Sequence, residues 1–339
     1  MKLVVNGAAV AGTSLGGKRY FNGILSRLGW PGGTEIRTLA GARSLARMRE
    51  LAYRGRRGEI FWSPNQRGPV VACNHVVTVL DCINVEYSYR DDWRLPAYRW
   101  LFNLILDNAS AVVAISNATR DSILRNYRIS ADKVTVIAGP NDFRDDMDRR
   151  PHPGSMDASS AGGQPFVLLF SNLLPHKNTA RAALAFAASS SARRGIALRV
   201  VGALEPTALA SCRAAGVTVE QYVGVDDAEL DRWLRECLFM LSPSLAEGLN
   251  LPIGEALSMG ANVLCSDIPV HREFFDGRVR FFDPNDIHAI AHALDLAFDV
   301  PGSWVRETVL SYRRTFDDVT REYSALFDRV ARAAAAGQR

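Results

Sequence analysis

Short apolar runs alternate with amphipathic stretches along the whole chain. Residues 2–6, 59–63, 76–80, 166–170, 197–202, 238–241 and 262–265 are each short runs made mostly of apolar side chains. Runs of that kind, bounded by Gly, Pro, Asn or Asp, read as strands buried on both faces, as in parallel sheets. Helix-period stretches lie between them. Residues 18–28 follow the first run and a Gly-containing loop. Residues 226–237 open on Asp226-Asp227-Ala228-Glu229, a capping-box arrangement. In 252–260, Pro252 suits the first helical position and Gly260 the end. Segments 109–119 and 133–141 read strand–turn–helix and strand–turn. The alternation predicts an α/β fold. Residues 149–164 are rich in Pro, Gly, Ser and Ala and have no period, as a linker would. With 339 residues, more than one hydrophobic core is expected, so the division expected is 1–150, a 151–164 linker, and 165–311, followed by an amphipathic helix at about 312–335.

Charge changes this picture at one end. The net charge is +4, but residues 1–60 hold eleven Lys or Arg against three Glu, or +8. Seven arginines fall in 36–58: Arg37, Arg43, Arg47, Arg49, Arg54, Arg56 and Arg57. Leu45, Met48 and Leu51 recur among them at helical spacing. A basic helix with an apolar stripe can lie on an anionic membrane surface, and a solvated surface helix would look the same. Tyr53 alone of the aromatics falls among these arginines, so a nucleic-acid stacking platform is not expected. Trp93, Tyr98, Trp100 and Phe102 form an aromatic-rich stretch, expected as core with a second membrane-facing edge. The five cysteines are scattered without a close pair, which points to reduced thiols in a cytosolic setting and to no metal site. No apolar run is long enough to span a bilayer.

Candidate chemistry concentrates in 242–260, SPSLAEGLNLPIGEALSMG. Glu247 sits at the mouth of a strand-to-helix turn and Glu255 one turn into the helix. The amides around 250–254 are expected to point back to the loop, as a site for phosphate or polarised hydroxyls. Gly248 lets a ligand approach the backbone. Near the start, Gly12 to Gly17 reads as a glycine loop before a helix, a generic anion cradle. It lacks the Gly-x-Gly-x-x-Gly spacing, so a nicotinamide cofactor is not expected. There is also no Asp-x-Asp metal motif.

The 242–260 string resembles the signature of family-4 glycosyltransferases, which have the GT-B fold. That signature has Pro-Ser, then Glu-Gly-x-x-Leu-Pro, then a second Glu. Pro243-Ser244, Glu247-Gly248, Leu251-Pro252 and Glu255 match it. The usual aromatic-Gly pair is Leu249-Asn250 here, a departure. Asn172-Leu173-Leu174-Pro175-His176-Lys177-Asn178 resembles the family segment whose Lys binds the donor diphosphate. Lys177 matches that Lys, Ser171 stands where Gly is usual, and Asn172 where many members carry Arg. Val77-Thr78-Val79-Leu80-Asp81 resembles the family's Val-Thr-x-His-Asp, with Asp81 matching and Leu80 replacing His. Gly16 and Gly17 match a Gly-Gly loop near the donor phosphates. Cys265-Ser266-Asp267-Ile268-Pro269 and Glu273 match a further segment.

The resemblance implies two Rossmann-like domains facing each other across a cleft, with the helix at about 312–335 crossing back to pack on the first. It also implies a nucleotide-diphosphate sugar donor, retention of anomeric configuration and no obligatory metal. Glu247 would meet the sugar and its positively charged transition state, Glu255 the ribose, and Lys177 the diphosphate. Gly248, Leu249, Asn250, Leu251, Asn172, Gly16, Gly17, Asp81 and Leu80 would line the donor site. Leu80 cannot hydrogen-bond a C6 hydroxyl, which suits a 6-deoxy sugar such as rhamnose or fucose, unless His75 or Asn84 supplies that contact. The expected reaction is hexosyl transfer of the mannose or rhamnose type to a glycan acceptor, polyprenyl-diphosphate-linked, in bacterial surface-polysaccharide or lipopolysaccharide synthesis. The protein would work at the inner face of the cytoplasmic membrane, touching it through residues 37–57. Two alternatives stay open: a GT-B epimerase or phosphorylase, and a non-catalytic sugar-nucleotide-binding membrane adaptor.

Overall fold

The computed structural model describes residues 1–12, 14–38, 43–71, 73–87, 93–143, 164–299, 304 and 313–336. The expected 151–164 linker lies, but for Gln164, outside these residues. The chain divides into two compact units, Met1–Pro140 with Arg314–Arg339, and Asn141–Arg313. The second unit begins ahead of the 165 expected from composition. Phe143 packs against Gly254, where an added Cβ would stand 2.3 Å from its ring, and Arg278 donates to Asn141 O at 3.2 Å.

Unit 1 is built on a parallel sheet of β1 (Lys2–Asn6), β2 (Thr34–Arg37), β3 (Glu59–Ser63), β4 (His75–Val79), β5 (Ala111–Ala114) and β6 (Val134–Val136). Its order is β2-β1-β3-β4-β5-β6. The inner strands β3, β4 and β5 are buried along their whole length, because helices cover both faces of the sheet. Trp62 of β3 is the largest side chain of this core. It packs on Phe21, Tyr323 and Phe327, and its Nε1 donates to Thr78 Oγ1 at 3.1 Å. Tyr323 and Phe327 come from the C-terminal helix Phe316–Ala336. Burying each such ring contributes about 2–3 kcal/mol, and this holds the last helix in the first unit. Gly23 is required on the facing helix, Leu15–Leu25, because a Cβ there would lie 2.4 Å from the Phe316 ring.

The start of unit 1 departs from expectation. Asn6 ends β1 and at once caps a short helix, Gly7–Ala11, accepting from Ala8 N and Ala9 N. Ser14 then caps Leu15–Leu25 by accepting from Gly17 N at 3.2 Å. Gly16 and Gly17 therefore belong to the first helical turn, not to a loop, and the helix starts before residue 18. The Ser14 cap decides this, since Ser in that position offers a first-turn amide an acceptor.

Unit 2 is a second parallel sheet, β7 (Phe166–Phe170), β8 (Ala197–Val201), β9 (Val219–Tyr222), β10 (Phe239–Ser242), β11 (Val263–Ser266) and β12 (Arg280–Phe282). The order is β12-β11-β10-β7-β8-β9. Apolar residues of β7, β8, β10 and β11 pack with Ala182, Phe186, Ile290 and Leu294 in one core. Helices run over Thr179–Ala188, Asp227–Glu236, Leu251–Ser258 and Ile287–Phe298, the second and third where the sequence pattern places them. Among the described residues no helix is long and apolar enough to cross a membrane.

Candidate functional site

The chain of unit 2 winds outward from β7 through β8 and β9 in one direction, and from β10 through β11 and β12 in the other. Where the winding reverses, adjacent parallel strands send their following loops apart. The crevice left at their carboxyl ends is where open α/β sheets hold ligands. Here the two strands are β7 and β10, and the loops are 171–178 and 243–250. These are the two segments singled out in the sequence.

The loops are stitched together. Leu245 N donates to His176 O at 2.7 Å. Asn178 Nδ2 donates to Pro243 O at 3.1 Å and to Pro284 O at 2.8 Å. Asn178 has φ +56, in the left-handed region, which Asn tolerates better than most side chains. It also stands at the head of the helix Thr179–Ala188, which starts without a side-chain cap. Uncapped first-turn amides and the helix dipole favour an anion at such an end.

Across the crevice Lys177 Nζ lies 2.5 Å from Glu247 Oε1. Ser244 Oγ donates to the same oxygen at 2.6 Å. The pair is largely sheltered, with 25% of the Lys177 and 10% of the Glu247 side chain exposed. Burial pushes the Glu247 carboxyl up, but the Lys177 ammonium and the Ser244 hydroxyl outweigh it and hold the carboxyl below its usual range. Glu247 is therefore ionised at neutral pH, an anion already met by a cation.

Gly248, Leu249 and Asn250 carry the chain from Glu247 to the helix Leu251–Ser258. Asn250 adopts φ +67, so the Asn-for-Gly departure from the family pattern uses the residue that best tolerates a left-handed conformation after glycine. Its amide adds something glycine lacks. Nδ2 donates to Ser242 Oγ at 2.9 Å and reaches His271 Nε2 at 2.9 Å. Since an amide nitrogen only donates, His271 Nε2 accepts and its Nδ1–H donates to Ser266 O at 2.9 Å. Burial pushes the His271 imidazole down to about 4, so this neutral tautomer persists at physiological pH. Ser266 Oγ in turn donates to Ser244 O at 2.5 Å. The shape of the Glu247 loop thus rests on a buried His271. Glu255 is buried on the same helix. The helix itself begins without a side-chain cap.

The other arm of the site also explains its departures. Ser171, in place of Gly, donates to Ala203 O at 2.5 Å and contacts Thr179 Oγ1 at 3.2 Å. Gly202 has no alternative, since a Cβ would stand 1.8 Å from Ser171 O. Asn172 turns its Oδ1 back to accept from Leu174 N at 3.2 Å. Leu173 holds φ +59 with its side chain half exposed, a costly conformation for a bulky residue.

Four expected site residues lie in unit 1. Leu80 and Asp81 follow β4. Thr119 Oγ1 donates to Leu80 O at 3.3 Å, and Asp81 Oδ1 accepts from Ile83 N at 3.0 Å. Gly16 and Gly17 lie in the first turn of Leu15–Leu25. His75 cannot stand in for the missing His at Leu80. It opens β4 at the opposite end of the strand, fully buried beside Gly68, with Nε2 on Ser63 Oγ at 3.0 Å. The basic segment is also less free than its composition. Arg37 is paired with Glu35 and Glu59, and Arg47 with Glu50.

Sequence reasoning missed His271, Asn178 and Ser244 as the residues that fix the two loops. Asn178 and Asn250 were visible as Asn residues ahead of helices, but the His271 contact is made 21 residues away in sequence. Among the described residues no group of three or more His, Cys, Asp or Glu could hold a metal ion.

Comparison with known proteins bears on this arrangement. Residues 156–306 match the family described as "Glycosyl transferases group 1", and residues 52–142 match "Glycosyltransferase Family 4". A curated relative, the O-antigen chain mannosyltransferase B of Escherichia coli, is 26% identical over 258 residues, 73% of this chain. The match spans 65% of that relative's length. Two solved structures superpose over nearly all of the chain with TM-scores of 0.63 at 15% identity. One is WaaG, a glycosyltransferase involved in lipopolysaccharide biosynthesis, with 98% of each chain covered. The other is Anabaena Alr3699/HepE in complex with UDP and glucose, with 100% of this chain and 99% of the other covered. Sucrose-phosphate synthase from Thermosynechococcus elongatus follows at a TM-score of 0.60 and 15% identity, over 100% of this chain and 98% of the other.

Proposed function

We propose a reaction for this chain from the premise that it belongs to the family-4 glycosyltransferases of two-domain GT-B fold: transfer of a sugar from a nucleotide-diphosphate donor to a glycan acceptor in surface-polysaccharide synthesis. The observation that carries the reading is the Lys177–Glu247 pair, 2.5 Å apart at the reversal point of the second sheet. One carboxylate and one ammonium held together there match what a glycosyl diphosphate requires. The diphosphate develops negative charge as it leaves, and the sugar develops positive charge as it is left.

The residues divide that work. Lys177 and the amides heading the Thr179–Ala188 helix bind the diphosphate oxygens, supplying the countercharge without a metal. Lys177 and Ser244 both donate to Oε1 of Glu247. Oε2 accordingly takes the sugar hydroxyls and, in the transition state, faces the oxocarbenium-like ring. Ser244 and Lys177 keep the carboxylate ionised for this. Glu255 receives the ribose hydroxyls. Gly248 to Leu251 present backbone to the donor, in a shape that Asn250 and His271 maintain. Attack from the face the diphosphate leaves gives retention of anomeric configuration. Asn172, Gly16, Gly17 and Asp81 complete the donor contacts.

Two donor classes have support. The curated relative's name favours mannose. Leu80, which offers no hydrogen bond to a C6 hydroxyl, favours a 6-deoxy sugar, because an unpaired buried hydroxyl costs about 1–3 kcal/mol. Turnover of a hexose donor beside its 6-deoxy analogue separates them. The acceptor is a lipid-linked glycan at the cytoplasmic face of a membrane, met by the basic first unit. The reading as a whole is tested by Glu247→Ala. Transfer should collapse while the unfolding transition is retained, and near-wild-type transfer by this variant would overturn the assignment. Chelator should leave transfer unchanged.

A further inference from the structure

The donor crevice makes no use of the arginine-rich loop after the Arg43–Leu51 helix. Arg54, Gly55, Arg56 and Arg57 line a cavity of about 200 Å³ together with Glu59, Phe61, Cys73 and Asn74. The cavity lies at the amino-terminal ends of β3 and β4, where Glu59 and His75 open those strands. Leu80 and Asp81 follow β4 at its other end, so this is a different place in unit 1.

Charge accounting shows what the cavity lacks. Its one carboxylate, Glu59, is fully committed. Arg37 donates to both its oxygens, at 3.1 and 2.8 Å. Tyr53 OH donates to it at 2.7 Å and Arg56 N at 3.1 Å. Arg37 is shared with Glu35, which also pairs with Lys2 at 2.6 Å. Lys2, Arg37, Glu35 and Glu59 thus balance among themselves. Burial pushes the Cys73 thiol up to about 12, so it stays neutral. Among the described residues Arg54, Arg56 and Arg57 have no carboxylate partner, and three positive charges are left in surplus around one small cavity. Gly55 and Gly58 both hold positive φ, +70 and +82, which is how so short a loop brings the three arginines round one rim.

We propose that this cavity is an anion site for a phosphoryl group, separate from the donor crevice. Guanidinium groups meet phosphate oxygens in bidentate fashion. The volume is below the few hundred Å³ usual for a drug-sized ligand, and it suits a headgroup rather than a whole nucleotide sugar. Two sources carry that chemistry, a free phosphate or diphosphate and the headgroup of an anionic lipid. The half-exposed Leu45 and Met48 on the preceding helix would enter the bilayer interface only in the second case.

The test uses the full chain with Arg54→Gln, Arg56→Gln and Arg57→Gln combined. These exposed side chains carry no internal partner, so the unfolding transition should not move. Pyrophosphate is titrated calorimetrically into the Lys177→Gln protein, in which the donor crevice is weakened, with and without the triple change. Sedimentation with phosphatidylcholine vesicles containing phosphatidylglycerol is run in parallel. The triple change should weaken binding by at least about tenfold, the equivalent of roughly one charge-assisted hydrogen bond. Loss of pyrophosphate binding assigns the site to a soluble phosphate. Loss of vesicle binding alone assigns it to a lipid headgroup. Unchanged binding in both assays by a properly folded triple variant would overturn the proposal.

Discussion

Replacing Lys177 by Met would leave the Glu247 carboxylate sheltered and without its cation. Removing one partner of a buried ion pair typically costs about 3–5 kcal/mol. Two features lower that figure here. Ser244 Oγ still donates at 2.6 Å, and 25% of the Lys177 side chain already meets solvent. The expected loss is about 2–3 kcal/mol, partly relieved by protonation of Glu247 at mildly acid pH. Glu247→Gln should cost less, about 1 kcal/mol, because a partly exposed ammonium can turn to water. The double variant should be close to Glu247→Gln alone, so a cycle of the four proteins should give a coupling of about 2–3 kcal/mol. For a unit of this size the Lys177→Met loss lowers the transition by roughly 4–12 °C. Scanning calorimetry of the four proteins reads it directly. If Lys177→Met melted with the wild type, or its loss simply added to that of Glu247→Gln, the two side chains would not be energetically coupled.

Three further outcomes follow from the same geometry. His271 refuses a proton until about pH 4, while an unfolded imidazole accepts one near 6.5, so stability should fall as pH drops through that window, by about 3 kcal/mol from this group, beside a separate loss from His75, which burial pushes down to about 3. His271→Gln should flatten this part of the pH–stability curve, and an identical slope in both proteins would refute it; Glu247, whose carboxyl is held low, adds its own loss only below the usual carboxylate range. Leu173→Gly relieves a left-handed Leu worth about 1–2 kcal/mol and gives back about half through the looser unfolded chain. Its melting point should rise slightly, and lower thermal stability would show that φ +59 is not strained. Gly202→Ala drives a Cβ to 1.8 Å from Ser171 O, so it should cost at least about 2 kcal/mol and weaken donor binding; a calorimetric trace like the wild type's would refute the close approach.

Much of this was legible because the relevant signals are local. The β7 and β10 runs are continuous in apolar residues, as strands buried on both faces must be. Pro252 marked the start of Leu251–Ser258, and Lys177 and Glu247 stand directly after strands, where such sheets present ligands. What was illegible depends on contacts distant in sequence. His271 looks like one more residue of a short helix until Asn250 is folded onto it. Composition showed seven arginines but not that Arg37 and Arg47 are answered by Glu35, Glu59 and a buried Glu50, which also binds Asn6 and Arg67. The glycines at 16 and 17 read as a loop because their cap, Ser14, was overlooked. The early start of the second unit rests on Phe143 packing against Gly254, a contact no periodicity announces.

The central claim is that Lys177 and Glu247 mark the seat of a sugar nucleotide. Calorimetric titration of UDP-, GDP- and dTDP-sugars into the wild type and into Lys177→Met tests it most directly. One donor class should bind the wild type with saturable heat and bind Lys177→Met at least about tenfold more weakly, the loss of roughly one charge-assisted contact. Equal affinity in the two proteins, or no binding by any of the sugar nucleotides to the wild type, would contradict it.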